Sequence, residues 1–430
     1  MKKNLIVFVA LLAAVAVALP AFAVDFKYGG VMRVRWISND NLADGLDKDE
    51  AEGADDNNNL FDQRARLYFD FVGSENLKVV TKFELGDITW GAGDTGDVGA
   101  DGKDVEIKNL YLDFNIPNTP INAKLGVQGI VAMKGWIADD DFSAAVFTMP
   151  FEPVKLTLGY IAAQNETATD ESENVDDFFI QVDYANGPFS GTLIGFYQYA
   201  HDALEVGQFE GATGFGQALD NSLFDLGVAL GYKADMFDVN VNFVKNFGSY
   251  DLPGGGSGDY TGWAAEAIAN VYVNNFTFTL GGFYTTGDDD DDNDVDYFIY
   301  PYKSGSHYWA ELMGLGVLDK FGPSANDGYS AGDVPSNLYT VYAGVAWQAL
   351  EATKLSFAYY YIGTAEDVES EPGKMDDSVG SEIDFRLTQK VVDGLTLDVV
   401  GAYLFADDAY STNDQDDDAY EVGARLQWSF

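Results

Sequence analysis

The 430 residues include no cysteine, two histidines and eleven prolines, and only 24 lysines and arginines. Without cysteine no disulfide can staple the chain, so a closed hydrogen-bonded sheet is left to supply rigidity. The two histidines, His201 and His307, fall in predicted loops, where a lone histidine reads as a surface residue. No G-x-S-x-G motif occurs, and no catalytic set assembles, so an enzymatic reading is set aside. Against the 24 basic side chains stand 70 acidic ones, a net charge of −46. That balance excludes nucleic acid as a partner, because phosphate binding needs a basic surface. Long hydrophobic runs are also missing. After residue 24 no segment holds 18 consecutive apolar residues, so no transmembrane helix is expected. The one apolar run, Leu5 to Leu19, follows Lys2 and Lys3 and precedes Pro20 and Ala21-Phe22-Ala23. It is too short to span a bilayer, which takes ~20 residues. It has the order of a secretory signal peptide over residues 1–23, cleaved before Val24.

What is present is glycine (46) with phenylalanine and tyrosine (30 and 25), suited to strands, tight turns and an aromatic exterior. Alternation with a period of two recurs throughout. Tyr28, Gly30, Met32, Val34 and Trp36 oppose Lys27, Arg33 and Arg35. Phe61, Ala65, Leu67, Phe69 and Phe71 oppose Asp62, Arg64, Arg66 and Asp70. Eighteen such segments fall near 26–38, 60–72, 77–86, 105–116, 121–129, 142–151, 153–162, 177–185, 189–199, 222–232, 236–246, 262–272, 275–285, 337–348, 353–362, 380–389, 394–405 and 419–430. Most are long enough for a tilted strand to cross hydrocarbon, which takes ~9–11 residues. Short turns alternate with long, acidic, glycine-rich loops. The expected fold is therefore a single all-β domain over 24–430, a transmembrane antiparallel β-barrel with short periplasmic turns and long extracellular loops. Residues 286–336 read as a long extracellular loop. Their apolar stretches leave open an extra hairpin, a short helix or an inward plug, and with them a count of 16 or 20 strands.

The final segment places Tyr420, Val422, Ala424, Leu426, Trp428 and Phe430 on one face. In this it resembles outer-membrane porins, which implies that Trp428 and Phe430 form an assembly signal read by the outer-membrane assembly machinery. Val24-Asp25-Phe26-Lys27-Tyr28-Gly29-Gly30 with Arg33-Val34-Arg35-Trp36 is similar to the start of the homotrimeric porins of sulfate-reducing bacteria. Phe61-Asp62-Gln63-Arg64-Ala65-Arg66 through Phe83-Glu84-Leu85-Gly86-Asp87 is similar to the second and third strands of trimeric porins. The resemblance implies a homotrimer in a Gram-negative outer membrane, bordered by lipid and lipopolysaccharide, with residues 87–104 a latch over a neighbour. It also implies a water-filled channel for passive diffusion of small hydrophilic solutes, with no cofactor. A channel biased toward small anions such as sulfate, phosphate or carboxylates is the alternative. A rim hydrolase and a closed structural barrel are further classes, and single-channel conductance separates them.

Arginine on the lipid face near the midplane costs ~2–4 kcal/mol, so Arg33, Arg35, Arg64 and Arg66 are expected to face the lumen. Lys78, Lys82 and Lys124 fall on the corresponding faces of their segments. Residues 129–141 occupy the place where trimeric porins fold a loop inward, and there Asp139, Asp140 and Asp141 are expected to oppose the arginines across a constriction. The aspartate runs at 288–296 and 414–418 read as solvated loops. Asp290, Asp292 and Asp294 are weak candidates for a divalent cation, since the EF-hand glycine and glutamate are absent.

Overall fold

The computed structural model describes residues 24–44, 57–92, 96–97, 105–164, 175–204, 218–251, 255–288, 293–301, 305–323, 328–371, 373–410 and 418–430. The signal-peptide segment 1–23 therefore lies outside the described residues. Among these residues eighteen long strands form: β1 (Asp25–Asp40), β2 (Asn58–Ser74), β3 (Leu77–Thr89), β4 (Val105–Asn115), β5 (Asn122–Ala132), β6 (Ala138–Phe151), β7 (Val154–Gln164), β8 (Val175–Asn186), β9 (Phe189–Leu204), β10 (Ala218–Lys233), β11 (Phe237–Asp251), β12 (Trp263–Val273), β13 (Phe276–Thr285), β14 (Tyr339–Leu350), β15 (Thr353–Glu371), β16 (Lys374–Val392), β17 (Leu395–Ala406) and β18 (Ala419–Ser429). Each pairs antiparallel with its sequence neighbours, and β1 also pairs with β18, Met32 opposite Trp428 and Val34 opposite Leu426. The sheet closes on itself, so no long edge is left open.

The turns between β2 and β3, β4 and β5, and so on to β16 and β17 take two to six residues. Gly187 and Gly394 occupy two of these turns at φ +57° and +78°, where a side chain would strain the backbone. The other connections are longer, with two exceptions at 133–137 and 372–373.

Two faces alternate along every strand. The outer one carries Tyr28, Phe71, Phe178, Ile180, Leu230, Leu280, Val341, Phe385 and Leu426, all exposed. Such a continuous apolar exterior is far larger than a soluble surface patch, and it suits a hydrocarbon solvent. The inner face is polar at the short-turn end. At the other end it packs against residues 293–301, 305–323 and 328–338, which fold into the lumen instead of standing outside as the long loop expected from their length. The apolar residues there explain the difference: Phe298, Tyr300, Leu312, Met313, Leu318 and Leu338 are buried against inward-facing Ile161, Ile194, Phe196, Tyr360 and Ile362. Their core is thus the barrel's interior.

Candidate permeation pathway and its constriction

The wall of β1 to β5 concentrates basic side chains. Strand register fixes this: Arg33 lies opposite Arg64, Arg35 opposite Asp62, and Arg66 opposite Glu84. All of these point into the lumen with the polar face of their strands. Arg35 and Asp62, both fully buried, form a two-pronged pair at 2.8 and 2.5 Å. Arg66 donates to Glu84, and Lys320, from the inward segment, lies 3.6 Å from Asp62. Arg33 and Arg64 meet at Asp87, 3.0 and 3.5 Å away. Lys78 lies 3.7 Å from Asp70 and 3.5 Å from Asp113. Lys82 and Lys124 have no carboxylate within ion-pair range among the described residues and sit 5.8 Å over the rings of Tyr68 and Tyr111.

The segment 129–141 is mostly strand. Gly129 to Ala132 belong to β5 and Ala138 to Asp141 to β6, leaving a five-residue turn at 133–137. The turn enters the lumen, where Met133, Trp136 and Ile137 are buried. Met133 and Lys134 hold φ of +53° and +57° to make it. Among the described residues no ion pair joins Asp139, Asp140 or Asp141 to Arg33, Arg35, Arg64 or Arg66, which pair with Asp62, Glu84 and Asp87. Asp141 instead pairs with Lys108 at 3.2 Å and accepts from Asn109 at 2.8 Å. Nearer carboxylates on β2 and β3 have taken the arginines.

Residues 293–301, 305–323 and 328–338 narrow the lumen further. One stretch docks on β11, where Asn246 exchanges two 3.0 Å hydrogen bonds with the backbone of Ile299. The next meets the 133–137 turn: Ser306 donates to the Gly135 carbonyl at 3.1 Å, and His307 stacks on Trp136 at 4.0 Å between ring centres. His307 is buried, 3.3 Å from Glu266 on β12, not the surface residue expected of a lone histidine. The inward fold of its segment, invisible to local pattern, makes the difference.

The last stretch docks on β16, β18 and β1. Glu382 accepts from the N–H groups of Leu312 and Met313 at 2.7 and 3.0 Å, and Asp384 from Glu311 at 3.1 Å. Arg425 donates to the Val317 carbonyl at 3.0 Å, and Arg35 to the carbonyls of Leu318 and Asp319. Glu311 folds back to accept from Val317 and Leu318 at 2.8 and 2.7 Å. Burial nevertheless pushes its carboxyl up to about 7, with those N–H groups opposing and Asp384 adding to the rise. A cleft of about 200 Å³ remains between the turn and β8 to β11, lined by Lys134, Gln181, Thr192, Asn240 and Asn242. Another of about 250 Å³ lies along Trp309, Glu311, Tyr360, Asp384 and Arg386.

Of the acidic-run candidates, Asp290 and Asp292 lie outside the described residues. Asp294 accepts from the Asp259 N–H at 2.8 Å. Among the described residues no three metal-ligating side chains gather. Phe430 exchanges two 3.0 Å backbone hydrogen bonds with Gly30, and any Cβ at Gly30 would fall 2.7 Å from the Phe430 ring. Trp428 lies against Phe430 at 4.5 Å between centres.

Sequence reasoning missed Asp87, Lys108, Lys320, Glu311 and Arg425. Asp87 and Lys108 sit where the strand register slips, which alternation cannot register. Lys320 and Glu311 reach the site only through the inward fold. Arg425 was legible as inward-facing, but not its partner.

The fold defined by this geometry is an eighteen-stranded closed barrel narrowed by an inward segment. Similar solved structures include Pseudomonas aeruginosa OpdO, at 13% identity and TM-score 0.57, covering 94% of this chain and 97% of that one. Acinetobacter baumannii OccAB4 is similar at 11% identity and TM-score 0.56, over 95% and 99%. A BenF-like porin from Pseudomonas fluorescens is similar at 12% identity and TM-score 0.54, over 94% and 98%. No protein-family model matches the chain, and no curated protein matches it.

Proposed function

We propose that the chain is an outer-membrane porin whose lumen passes small hydrophilic solutes and ions by passive diffusion. The observation that carries this reading is the pairing of a continuous apolar exterior with a charged interior in one closed barrel. A barrel of 16–18 strands is wide enough to leave an aqueous channel. In this reading the chain catalyses no reaction and resides in the outer membrane of a Gram-negative bacterium. Its short turns are periplasmic, its long connections extracellular, and Trp428 and Phe430 present the assembly signal. The residues 1–23 direct export. Purified protein should give discrete conductance steps in planar bilayers and allow sugar entry into liposomes. A bilayer that stays silent at high protein input overturns the reading in favour of a closed structural barrel.

A bias toward small anions is the second reading. It is favoured by Lys82 and Lys124, two wall cations without a paired carboxylate among the described residues. OpdK of Pseudomonas aeruginosa, similar at 11% identity and TM-score 0.57 over 94% of this chain and 98% of that one, was solved with vanillate, itself an organic anion. A reversal potential favouring chloride over potassium supports the bias, and a cation preference refutes it. The homotrimer is proposed on the resemblance of the first three strands to trimeric porins. Unheated detergent samples should migrate as an oligomer, and a monomeric mass refutes it.

A further inference from the structure

We propose that Asp87 is a resident counter-anion: its carboxylate occupies an oxyanion subsite built by Arg33, Arg35 and Arg64, and thereby sets the channel's charge preference. The inference deepens the porin reading and rests on it.

Strict alternation would put Asp87 outside. In β3, Glu84 faces the lumen and Leu85 is exposed on the outer face, so Asp87 would follow Leu85 toward lipid. The ladder slips at this point. Asp62 pairs with Thr89 and Gln63 with Ile88, but Ala65 pairs with Leu85, leaving Gly86 and Asp87 opposite the single residue Arg64. This is a β-bulge, a device that re-aims a side chain. With φ of +27° Asp87 turns its carboxylate inward.

There it meets three guanidinium groups. Oδ1 lies 3.0 Å from Arg33 and 3.7 Å from Arg35, and Oδ2 lies 3.5 Å from Arg64. The exposures are unequal: the three arginine side chains are 7%, 1% and 17% exposed, Asp87 42%. The arginines form the floor and Asp87 covers them from the water side. The neighbouring carboxylates hold the flanks of the cluster: Asp62 pairs with Arg35, and Glu84 pairs with Arg66 and lies 3.8 Å from Arg64. Among the described residues Arg33 otherwise reaches only Asp319, at 3.5 Å, and its buried Nε has no hydrogen-bond partner. A cluster of guanidinium donors around one planar carboxylate is the arrangement that binds a carboxylate or sulfate from solution. Here the occupant is tethered.

The test compares wild type with D87N, D87E and D183N in planar bilayers under a KCl gradient, with sodium sulfate as the probe. D87N should move the chloride-to-potassium permeability ratio toward chloride by about two- to fivefold, as expected for one unit charge a few ångströms from the ion path. Millimolar sulfate should then reduce chloride current through D87N and leave the wild type unaffected. D87E should restore the wild-type preference, which a purely structural role of Asp87 would not predict. D183N makes the same charge change beside Lys155, and it should not create sulfate sensitivity. An open D87N channel with wild-type selectivity and no sulfate block overturns the inference while leaving the porin reading intact. A wild-type protein that does not conduct overturns both. If D87N fails to insert, D87S and the wild type decide: sulfate block already present in wild type and lost in R64A overturns the proposal.

Discussion

Arg35 joins three parts of the molecule: the β1 wall, Asp62 on β2, and the carbonyls of Leu318 and Asp319 in the inward segment. Removing one partner of a buried ion pair leaves the other charge uncompensated, at about 3–5 kcal/mol. Arg35→Ala should therefore lower the temperature at which the barrel unfolds in detergent, read from gel mobility after graded heating. It should also raise conductance, because the Arg35 hydrogen bonds that dock Leu318 and Asp319 are lost. An unchanged unfolding temperature would show that Asp62 and Lys320 compensate alone. Glu311 gives a pH prediction. Its carboxyl, at about 7, lies above the ordinary value of 4.5. The stability it contributes is therefore full below about pH 4.5 and is lost as pH rises through 7. Amide protection across 309–318 should be higher at pH 5 than at pH 8. In Glu311→Gln that difference should shrink, and a persistent difference would assign it to other groups.

At the scale of elements, the constriction is a contact between two inward segments that share no sequence neighbourhood. Trp136, from the turn after β5, stacks on His307 and meets Phe283 and Phe298 edge-on. Truncating a buried tryptophan costs about 3–5 kcal/mol. Trp136→Ala should loosen both segments, so single-channel conductance should rise and current noise increase. Wild-type conductance in that variant would place the narrowest point elsewhere. The strands themselves were legible, because a half-buried strand writes its period of two into the residues. Asp62, Arg64 and Arg66 were assigned to the inner face on that signal. Asp87 was not, because one extra residue in β3 inverts the alternation without changing composition.

For the whole molecule the outer face is the solvent boundary. Leu280 on β13 is 61% exposed on that face, whereas adjacent Thr279 points inward and donates to Asn270. Leu280→Arg should cut membrane-inserted yield, since arginine at mid-depth costs ~2–4 kcal/mol. Thr279→Arg should insert normally, and equal yields would refute the assigned orientation. The sequence alone determined an antiparallel barrel of about eighteen strands, with 16 or 20 left open by residues 286–336, and the sense of its faces, because these follow from local alternation and from how unfavourable charge is in hydrocarbon. It also placed the arginines on one wall, since neighbouring strands pair in order. Only the tertiary structure decided which carboxylate each arginine meets, that His307 is buried, and that the described stretches 293–301, 305–323 and 328–338 narrow the lumen. Those contacts join residues up to 284 positions apart, as Arg35 and Asp319 are. They depend on which apolar stretch fills the interior, and no local pattern records that choice.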